Sequence, residues 1–259
     1  MAFEDISQRH LGGLFIQVLD SVPVVLMAKN AGFDFLFFDE EHGDIDQSHL
    51  SELMLFGNSI GIPSLVRAPQ LSRVNVSHIL DLGAAGVMVP MLESREQALK
   101  LVEWAKYSPT GKRSYSGGAH TFYSSKKSHA ENMINANAKV LAIAQVETVL
   151  GVQNISDIVS VPGIDAVVIG PSDLAISMGR PNEIGCKEEL ALIDKVRDAC
   201  VSAHKAFGII GSNDLIEKNI SSVNLMISAL DVHLLRSIFA SAVDNYAKLK
   251  AQVNETKLE

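Results

Sequence analysis

Short apolar runs alternate with longer amphipathic segments along the whole chain. Several of the runs are apolar at every position, as in strands that are covered on both faces. There are eight of them, at 13–18, 35–39, 64–67, 86–90, 140–146, 166–169, 206–210 and 224–227. Between them, apolar residues recur at helical spacing, as in 190–203, and Ser94 to Gln97 form a capping-box sequence that predicts the start of another helix.

Eight strand–helix units in about 250 residues are the number and size typical of a (β/α)8 barrel. The alternative is a doubly wound open sheet, which usually carries a glycine-rich turn after its first strand, and the first run here is followed by no such turn. We therefore predict one α/β domain, a TIM barrel over 1–259. Within it, the polar segment 107–128 predicts a long loop, functional or in contact with another subunit, and 252–259 predicts a frayed tail.

Composition excludes several classes of protein without naming a function. The 259 residues are 47% hydrophobic and 20% charged, which is ordinary for a globular chain with a sizeable core. A formal net charge of −8 argues against a general nucleic-acid binder. Two cysteines, no signal-peptide pattern and no apolar run of about 20 residues predict a reduced, cytoplasmic protein that does not span a membrane.

Polar and charged groups follow four of the apolar runs. In a barrel of parallel strands these ends converge on one rim, where catalytic groups lie. The second run ends in Asp39, Glu41 and His42, the third in Arg67, the fifth in Gln145 and Glu147, and the sixth in Gly170, Ser172 and Asp173. The set as a whole indicates a catalytic rim more strongly than any one member does.

Glu147 and Asp173 are the candidate metal ligands. Two carboxylates supply hard oxygen donors and leave the other octahedral positions to water and substrate, which suits Mg²⁺ or Mn²⁺, with Co²⁺ also possible. The alternative for Asp173 is a structural one, because an aspartate there could cap a helix that begins near Leu174.

The remaining strand-end groups suit enolate chemistry. Arg67 can stabilise an oxyanion, although it could also close the rim through a salt bridge. Histidine ionises near neutral pH, so His42 is the candidate proton-transfer group. A cation and an arginine beside a 2-oxo acid would favour making or breaking the adjacent C–C bond. A Schiff-base route would need a lysine at a strand end, whereas Lys139 and Lys205 precede their strands.

These motifs resemble the HpcH/HpaI aldolase family across roughly 11–239. The matching pieces are Asp39-Glu40-Glu41-His42, Val66-Arg67, Leu82-Gly83 with Val89-Pro90, Gln145-Val146-Glu147 and Gly170-Pro171-Ser172-Asp173. The resemblance implies a barrel of the pyruvate/phosphoenolpyruvate type and a homo-oligomer, often a hexamer (a trimer of dimers) that exchanges its last helix between subunits. It also implies reversible, divalent-metal-dependent cleavage of a 4-hydroxy-2-oxo acid into pyruvate and an aldehyde.

The resemblance further implies roles for individual residues. Glu147 and Asp173 match metal ligands, and Gln145 lines the same pocket. Arg67 matches the group that binds pyruvate and stabilises its enolate, while His42 matches a proton-transfer histidine with Asp39 beside it. Gly170 and Ser172 match the backbone that receives the pyruvate carboxylate. Asp81 matches an aspartate that pairs with the histidine across a subunit boundary.

The sequence departs from the family pattern at a few positions. Glu40 stands where a small or apolar residue is usual, Ser114 and Ala229 replace glycines, and the segment after Gly179 is short. These departures affect the surroundings of the expected site rather than its metal and enolate groups. They leave the identity of the aldehyde open.

Two other functions fit the same residues. Decarboxylation of oxaloacetate, or another C–C lyase reaction of a 2-oxo acid, needs the same metal and arginine; a lyase of CoA esters is disfavoured because no basic patch for CoA phosphates is visible. The third possibility is a barrel that binds a 2-oxo acid without turnover. Both carboxylates, Arg67 and His42 argue against it.

Overall fold

The computed structural model describes residues 3–124 and 126–256, with the side chains of 254–256 left out. Eight parallel strands close into a barrel in sequence order, so the (β/α)8 prediction is confirmed. The strands are β1 Leu11–Ile16, β2 Phe35–Asp39, β3 Ser64–Arg67, β4 Gly86–Val89, β5 Leu141–Val146, β6 Ala166–Ile169, β7 Ala206–Ile210 and β8 Leu225–Leu230. The helices are α1 Val22–Ala31, α2 Gln47–Ser59, α3 Arg73–Asp81, α4 Arg95–Ala105, α5 His129–Lys139, α6 Val149–Gln153, α7 Ile155–Val159, α8 Pro171–Ser177, α9 Lys187–Ser202, α10 Asn213–Lys218 and α11 Asp231–Thr256.

All eight predicted strands exist, and β1 and β8 depart most from the predicted bounds. β1 starts two residues earlier than expected because Leu11 and Gly12 already pair with β8. It ends earlier because the backbone N–H groups of Gln17 and Val18 turn away from the barrel and donate to the Asp231 carboxylate. The apolar character of the run could not show that these two N–H groups bond a side chain instead of a neighbouring strand.

Two apolar layers explain why the strands are hydrophobic at nearly every position. Side chains that point inward fill the barrel, among them Phe15 and Phe37, whose rings stack 5.1 Å apart. Alternate side chains point outward and pack under the helices, as Val66, Val87 and Val167 do. A parallel strand in this fold therefore has no polar face, and most of its polar residues lie at its ends.

Local capping sets the helix starts much as the sequence predicts. Ser94 and Gln97 form both bonds of the capping box at the start of α4. The helix predicted at 190–203 starts earlier, at Lys187, with Cys186 as its N-cap residue, while Cys200 is buried within it. Burial raises the pKa of the Cys200 thiol to about 12, which makes it an inert core residue.

The segment 107–128 lies at the opposite end of the barrel from the strand-end rim. It follows α4 and precedes α5 and β5, so it joins elements where strands begin. Apart from a short 3-10 turn at Ala119–Thr121, its described residues form no helix or strand. Within one chain the segment is therefore remote from the strand-end residues, although its Arg113 bonds Asp81, which the family resemblance assigns to the site.

The last helix, α11, leaves the body of the barrel. It continues to Thr256, five residues into the segment expected to fray, whereas 257–259 lie outside the described residues. From 236 to 253 every side chain of this helix is exposed. None of the described helices combines the length and apolar character needed to cross a membrane; the cytoplasmic location stays a prediction.

Candidate active site

Neighbouring strand ends bring the predicted residues together. Asp39 closes β2 and lies in register with Arg67, which closes β3. Val146, which precedes Glu147, is in register with Ile169, which precedes Gly170. The parallel register thus places two groups of functional side chains at one rim, in the order that the sequence predicts.

Arg67 is the electrostatic centre of the first group. Its Nε and Nη2 donate to the two oxygens of Asp39 at 2.8 and 2.7 Å, and its Nη1 lies 3.0 Å from Glu41 Oε2. The guanidinium also lies 5.4 Å from the centre of the Phe15 ring. Three of its five N–H groups are thereby directed at carboxylates, which leaves two for a substrate oxygen.

The charges of this group are held in place by their partners. Burial alone would raise the pKa of Asp39, but hydrogen bonds and charge from Arg67 hold it below its usual value. For Glu41 burial outweighs Arg67, so its pKa is raised, and the charges of Asp39 and Asp173 add to the effect. The arginine salt bridge considered from sequence therefore exists, and it fixes the arginine in the site.

Two residues that sequence reasoning did not assign support this group. Gln17 Nε2 donates to Asp39 Oδ2 at 2.8 Å. The backbone around Gln17 is fixed in turn by buried Asp231, whose Oδ2 accepts the N–H groups of Gln17, Val18 and Leu19 at 2.9–3.0 Å. Gln17 is a polar residue directly after β1, so the rule used for the other strand ends could have found it.

Glu147 dominates the second group. It is nearly fully buried, and its Oε1 accepts the Met91 N–H at 2.9 Å while its Oε2 accepts from Gln145 Nε2. Burial raises the pKa of Glu147 to about 7; the Met91 hydrogen bond opposes this, and the charge of Asp173 reinforces it. A buried carboxylate with neutral donors on both oxygens is well placed to meet a cation.

Asp173 lies in the first turn of α8 and does not cap it. The N-cap residue is Gly170, and Asp173 makes no capping hydrogen bond. The structural alternative that the sequence allowed for Asp173 is therefore wrong, because the helix begins at Pro171 rather than near Leu174. Its exposed carboxylate acts electrostatically on both Glu147 and Glu41, which places it at the same rim.

Residue 170 must be glycine because there is no room for a side chain. A Cβ at this position would lie 2.4 Å from Glu147 Oε2 and 2.9 Å from Gln145 Nε2. Gln145 Oε1 beside it is buried and has no hydrogen-bond partner. The role of Gly170 and Ser172 as a cradle for a carboxylate stays a prediction.

His42 lies at the mouth of the site, not inside it. Its side chain is 64% exposed, and its Nε2 is 3.9 Å from Glu41 Oε2. Both oxygens of Asp39, expected beside this histidine, are instead bound by Arg67, and Gln17 also donates to one of them. The carboxylate next to His42 is therefore Glu41, a residue that the sequence singled out but gave no role.

Asp81 is the one predicted site residue that lies far from the others in this chain. It ends α3, at the end of the barrel where strands begin, and it bonds Arg113 Nη2 at 2.5 Å. His120 Nδ1 is 4.0 Å from the same carboxylate oxygen. The pairing implied by the resemblance, between Asp81 and the His42 of another copy, needs a second subunit and stays a prediction.

Glu40, the departure from the family pattern in the same motif, points away from Arg67. Burial raises the pKa of its carboxyl, opposed by a hydrogen bond from Gln47 and by the charge of His78. Both residues belong to outer helices, α2 and α3. The extra acidic group therefore faces the helix layer rather than the strand-end cluster.

Comparison with known proteins agrees with this geometry. The family model described as HpcH/HpaI aldolase/citrate lyase matches residues 13–227. A hydroxypyruvate/pyruvate aldolase of Pseudomonas aeruginosa is 33% identical over 87% of this chain and 85% of its own length. A 4-hydroxy-2-oxovalerate aldolase of Rhodococcus jostii is 30% identical over 92% of each chain.

A solved structure supports the same assignment. The crystal structure of an HpcH/HpaI aldolase from Desulfitobacterium hafniense superposes with a TM-score of 0.87 at 26% identity. The superposition covers 92% of this chain and 93% of that one. Sequence, fold and the clustered strand-end residues thus lead to one conclusion: the chain is a carbon–carbon lyase and belongs to the HpcH/HpaI aldolase/citrate lyase family.

Proposed function

We propose that the protein catalyses reversible, divalent-metal-dependent cleavage of a 4-hydroxy-2-oxo acid into pyruvate and an aldehyde. The observation that carries the proposal is the pair Glu147 and Asp173, which extend from neighbouring strands to one rim beside Arg67. Relatives named hydroxypyruvate/pyruvate aldolase and 4-hydroxy-2-oxovalerate aldolase support a donor of the pyruvate type.

The residues present fit a divalent cation. Glu147 and Asp173 offer hard oxygen ligands, and Mg²⁺ or Mn²⁺ commonly takes few protein carboxylates and fills its other positions with water and substrate. The described residues contain no group of three His, Cys, Asp or Glu side chains arranged around one point, so a closed protein cage is not what this site offers. Gln145 Oε1 is a further buried polar atom without a hydrogen-bond partner, on a side chain that bonds Glu147 and packs against Gly170.

When bound, such a cation supplies Lewis-acid stabilisation of negative charge on the keto oxygen of the substrate. The two remaining N–H groups of Arg67 can donate to an oxygen of the 2-oxo acid, with Asp39 and Glu41 fixing their direction. Cleavage removes the proton of the 4-hydroxyl group, breaks the C3–C4 bond and leaves the electron pair on the pyruvate unit. Protonation of C3 then completes pyruvate.

His42 is the group that we assign to this proton transfer. It is exposed at the mouth of the site, where the aldehyde half of the substrate must enter and leave. Glu41, between His42 and Arg67, links the proton-transfer residue to the charge cluster. Because Asp39 is committed to Arg67, its contribution is to position the arginine.

The metal can be tested without knowing the aldehyde. In D₂O with Mg²⁺ or Mn²⁺ we expect the enzyme to exchange the methyl protons of pyruvate for deuterium, followed by NMR. EDTA should stop the exchange, as should Glu147→Ala or Asp173→Ala, whereas Glu183→Ala on an exposed loop should not. Undiminished exchange in EDTA would contradict the proposal.

Turnover of oxaloacetate distinguishes an aldolase from a decarboxylase. An aldolase should cleave at least one 4-hydroxy-2-oxo acid with a kcat/KM above that for decarboxylation of oxaloacetate. The reverse ranking would favour the decarboxylase. Binding of pyruvate with neither turnover nor exchange would favour the non-catalytic barrel.

The raised pKa of Glu147 predicts how cation binding depends on pH. Since the pKa of this carboxyl is about 7 without a cation, a proton competes for it below that pH. The dissociation constant for Mn²⁺, measured by calorimetry, should be constant above about pH 8 and rise toward about tenfold per unit below pH 6. A constant value from pH 8 to 5.5 would contradict the combination of a raised pKa and a ligand role for Glu147.

Gly170→Ala tests the crowding around Glu147. The new methyl group would displace the Glu147 carboxylate or Gln145, so we expect Mn²⁺ affinity and pyruvate exchange to fall at least tenfold. Gly117→Ala is the matched control, because a Cβ there meets nothing within 4 Å. Wild-type binding in Gly170→Ala would show that the close packing is not needed.

We also propose that α11 joins copies of this chain into a homo-oligomer. Its exposed side carries a stripe at helical spacing formed by Phe239, Val243, Tyr246 and Val253. Val22, Leu26 and Met27 of α1 are also exposed, and α1 is the neighbour on which a final barrel helix would otherwise pack. Two apolar surfaces on one chain are more than a monomer usually leaves open.

Light scattering tests this interface. Wild type should have the mass of an oligomer, with a hexamer expected from the family resemblance. The double substitution Phe239→Asp and Tyr246→Asp should yield smaller species, whereas Lys248→Asp, on the opposite side of α11, should not. A monomeric wild type, or an unchanged mass in the double variant, would contradict the proposal.

A further inference from the structure

Met91 has a backbone conformation that its own side chain does not explain. Its φ is 55°, in the left-handed region, which is uncommon for residues other than glycine, asparagine, aspartate and histidine. The side chain is 49% exposed, so burial does not offset the strain. A strained residue at the end of a barrel strand needs another cause.

The conformation directs two successive N–H groups at the end of β5. The Met91 N–H donates to Glu147 Oε1 at 2.9 Å, and the next one, of Leu92, donates to the Gln145 carbonyl at 3.0 Å. Pro90, directly before Met91, cannot donate from its backbone. Met91 therefore provides the backbone donor to Glu147 from the β4 side of the site.

Hydrogen bonds of the loop after β4 hold the Met91 N–H in place. Glu93, two residues on, accepts from Thr148 Oγ1 at 2.7 Å through its side chain and from Asn154 Nδ2 at 2.8 Å through its carbonyl. Leu92 is buried against the core, in contrast to Met91. The chain is thus tied to the segment that carries Glu147 after Met91 by these bonds and before it by the pairing of β4 with β5 at Val89 and Ala144.

The hydrogen bond from Met91 also determines which lone pairs of the Glu147 carboxylate remain available. Met91 N–H occupies one lone pair of Oε1, and Gln145 Nε2 occupies one of Oε2. Each oxygen retains a second lone pair, so the carboxylate plane is set from both ends without being blocked. Loss of either donor would let the Glu147 side chain rotate.

We propose that Met91 is a positioning residue, whose strained backbone holds Glu147 in the orientation that binds the cation. This inference rests on the proposed metal site. It assigns the role to the backbone N–H and to the left-handed conformation, and it leaves the methionine side chain free to vary.

Substitutions of Met91 that change the free-energy cost of the left-handed conformation test this proposal. Valine opposes a positive φ strongly, and glycine does not. We expect the Mn²⁺ dissociation constant, measured at pH 8, to rise at least tenfold in Met91→Val and to stay within threefold of wild type in Met91→Gly. Pyruvate exchange should follow the same order.

His204 supplies the matched control. It has the same φ of 55°, in the turn before β7 at the other end of the barrel. His204→Val should lower the melting temperature as Met91→Val does, yet leave Mn²⁺ affinity unchanged. If Met91→Val does not fold, Met91→Thr, which is also β-branched, should show a loss of affinity in the same direction.

Three results would overturn the inference. Met91→Val or Met91→Thr could bind Mn²⁺ like wild type, Met91→Gly could lose affinity as much as Met91→Val, or His204→Val could weaken binding equally. The second would assign the effect to the side chain and the third to general destabilisation. Failure of the proposed metal site itself is distinguishable, because wild type would then bind no Mn²⁺ at pH 8.

Discussion

Crowding of negative charge at the strand ends is the constraint on which the site depends. Asp39, Glu41, Glu147 and Asp173 share one rim with a single buried arginine, Arg67. Two unit charges 4 Å apart repel by about 4 kcal/mol at the dielectric typical near a protein surface. Arg67 compensates Asp39 directly and Glu41 in part. Its charge also acts on Glu147, but one arginine cannot balance four carboxylates. The rim is left with a deficit of positive charge, and a divalent cation would remove it.

The barrel is what brings these charges together despite their repulsion. Parallel register places Asp39 beside Arg67 and the Glu147 segment beside Gly170, and the buried strands behind them cannot shift without breaking the core. Burial of the apolar layers on both faces of each strand supplies the free energy that offsets the repulsion between the carboxylates. Asp231 fixes the loop that carries Gln17, so even the supporting hydrogen bond to Asp39 depends on closure of the barrel between β8 and β1.

Sequence reasoning reached the fold and most of the site because both follow from one periodic pattern. A polar side chain directly after an apolar run must lie on the rim, which is how Arg67, Gln145 and Glu147 were found. The same reasoning could not find Met91, since its contribution is a backbone N–H that carries no side-chain signal. The family resemblance placed Asp39 beside His42, whereas in the structure the Asp39 carboxylate faces Arg67. Asp81 lies at the far end of α3, so the pairing that the family resemblance implies, with the histidine of a second copy, stays a prediction.

The nature of the donors around Glu147 shows why its charge remains available. Asp39 is bound by an arginine, which neutralises it and keeps its pKa low. Glu147 is bound by an amide N–H and a glutamine, which fix its orientation yet leave its charge uncompensated. A lysine or arginine in place of either donor would hold the carboxylate equally well, but it would compete with a cation for the same oxygens. Neutral hydrogen bonds are therefore a means by which a buried carboxylate can be held rigid without being neutralised. Burial, which the Met91 hydrogen bond only partly offsets, is what raises the pKa of Glu147.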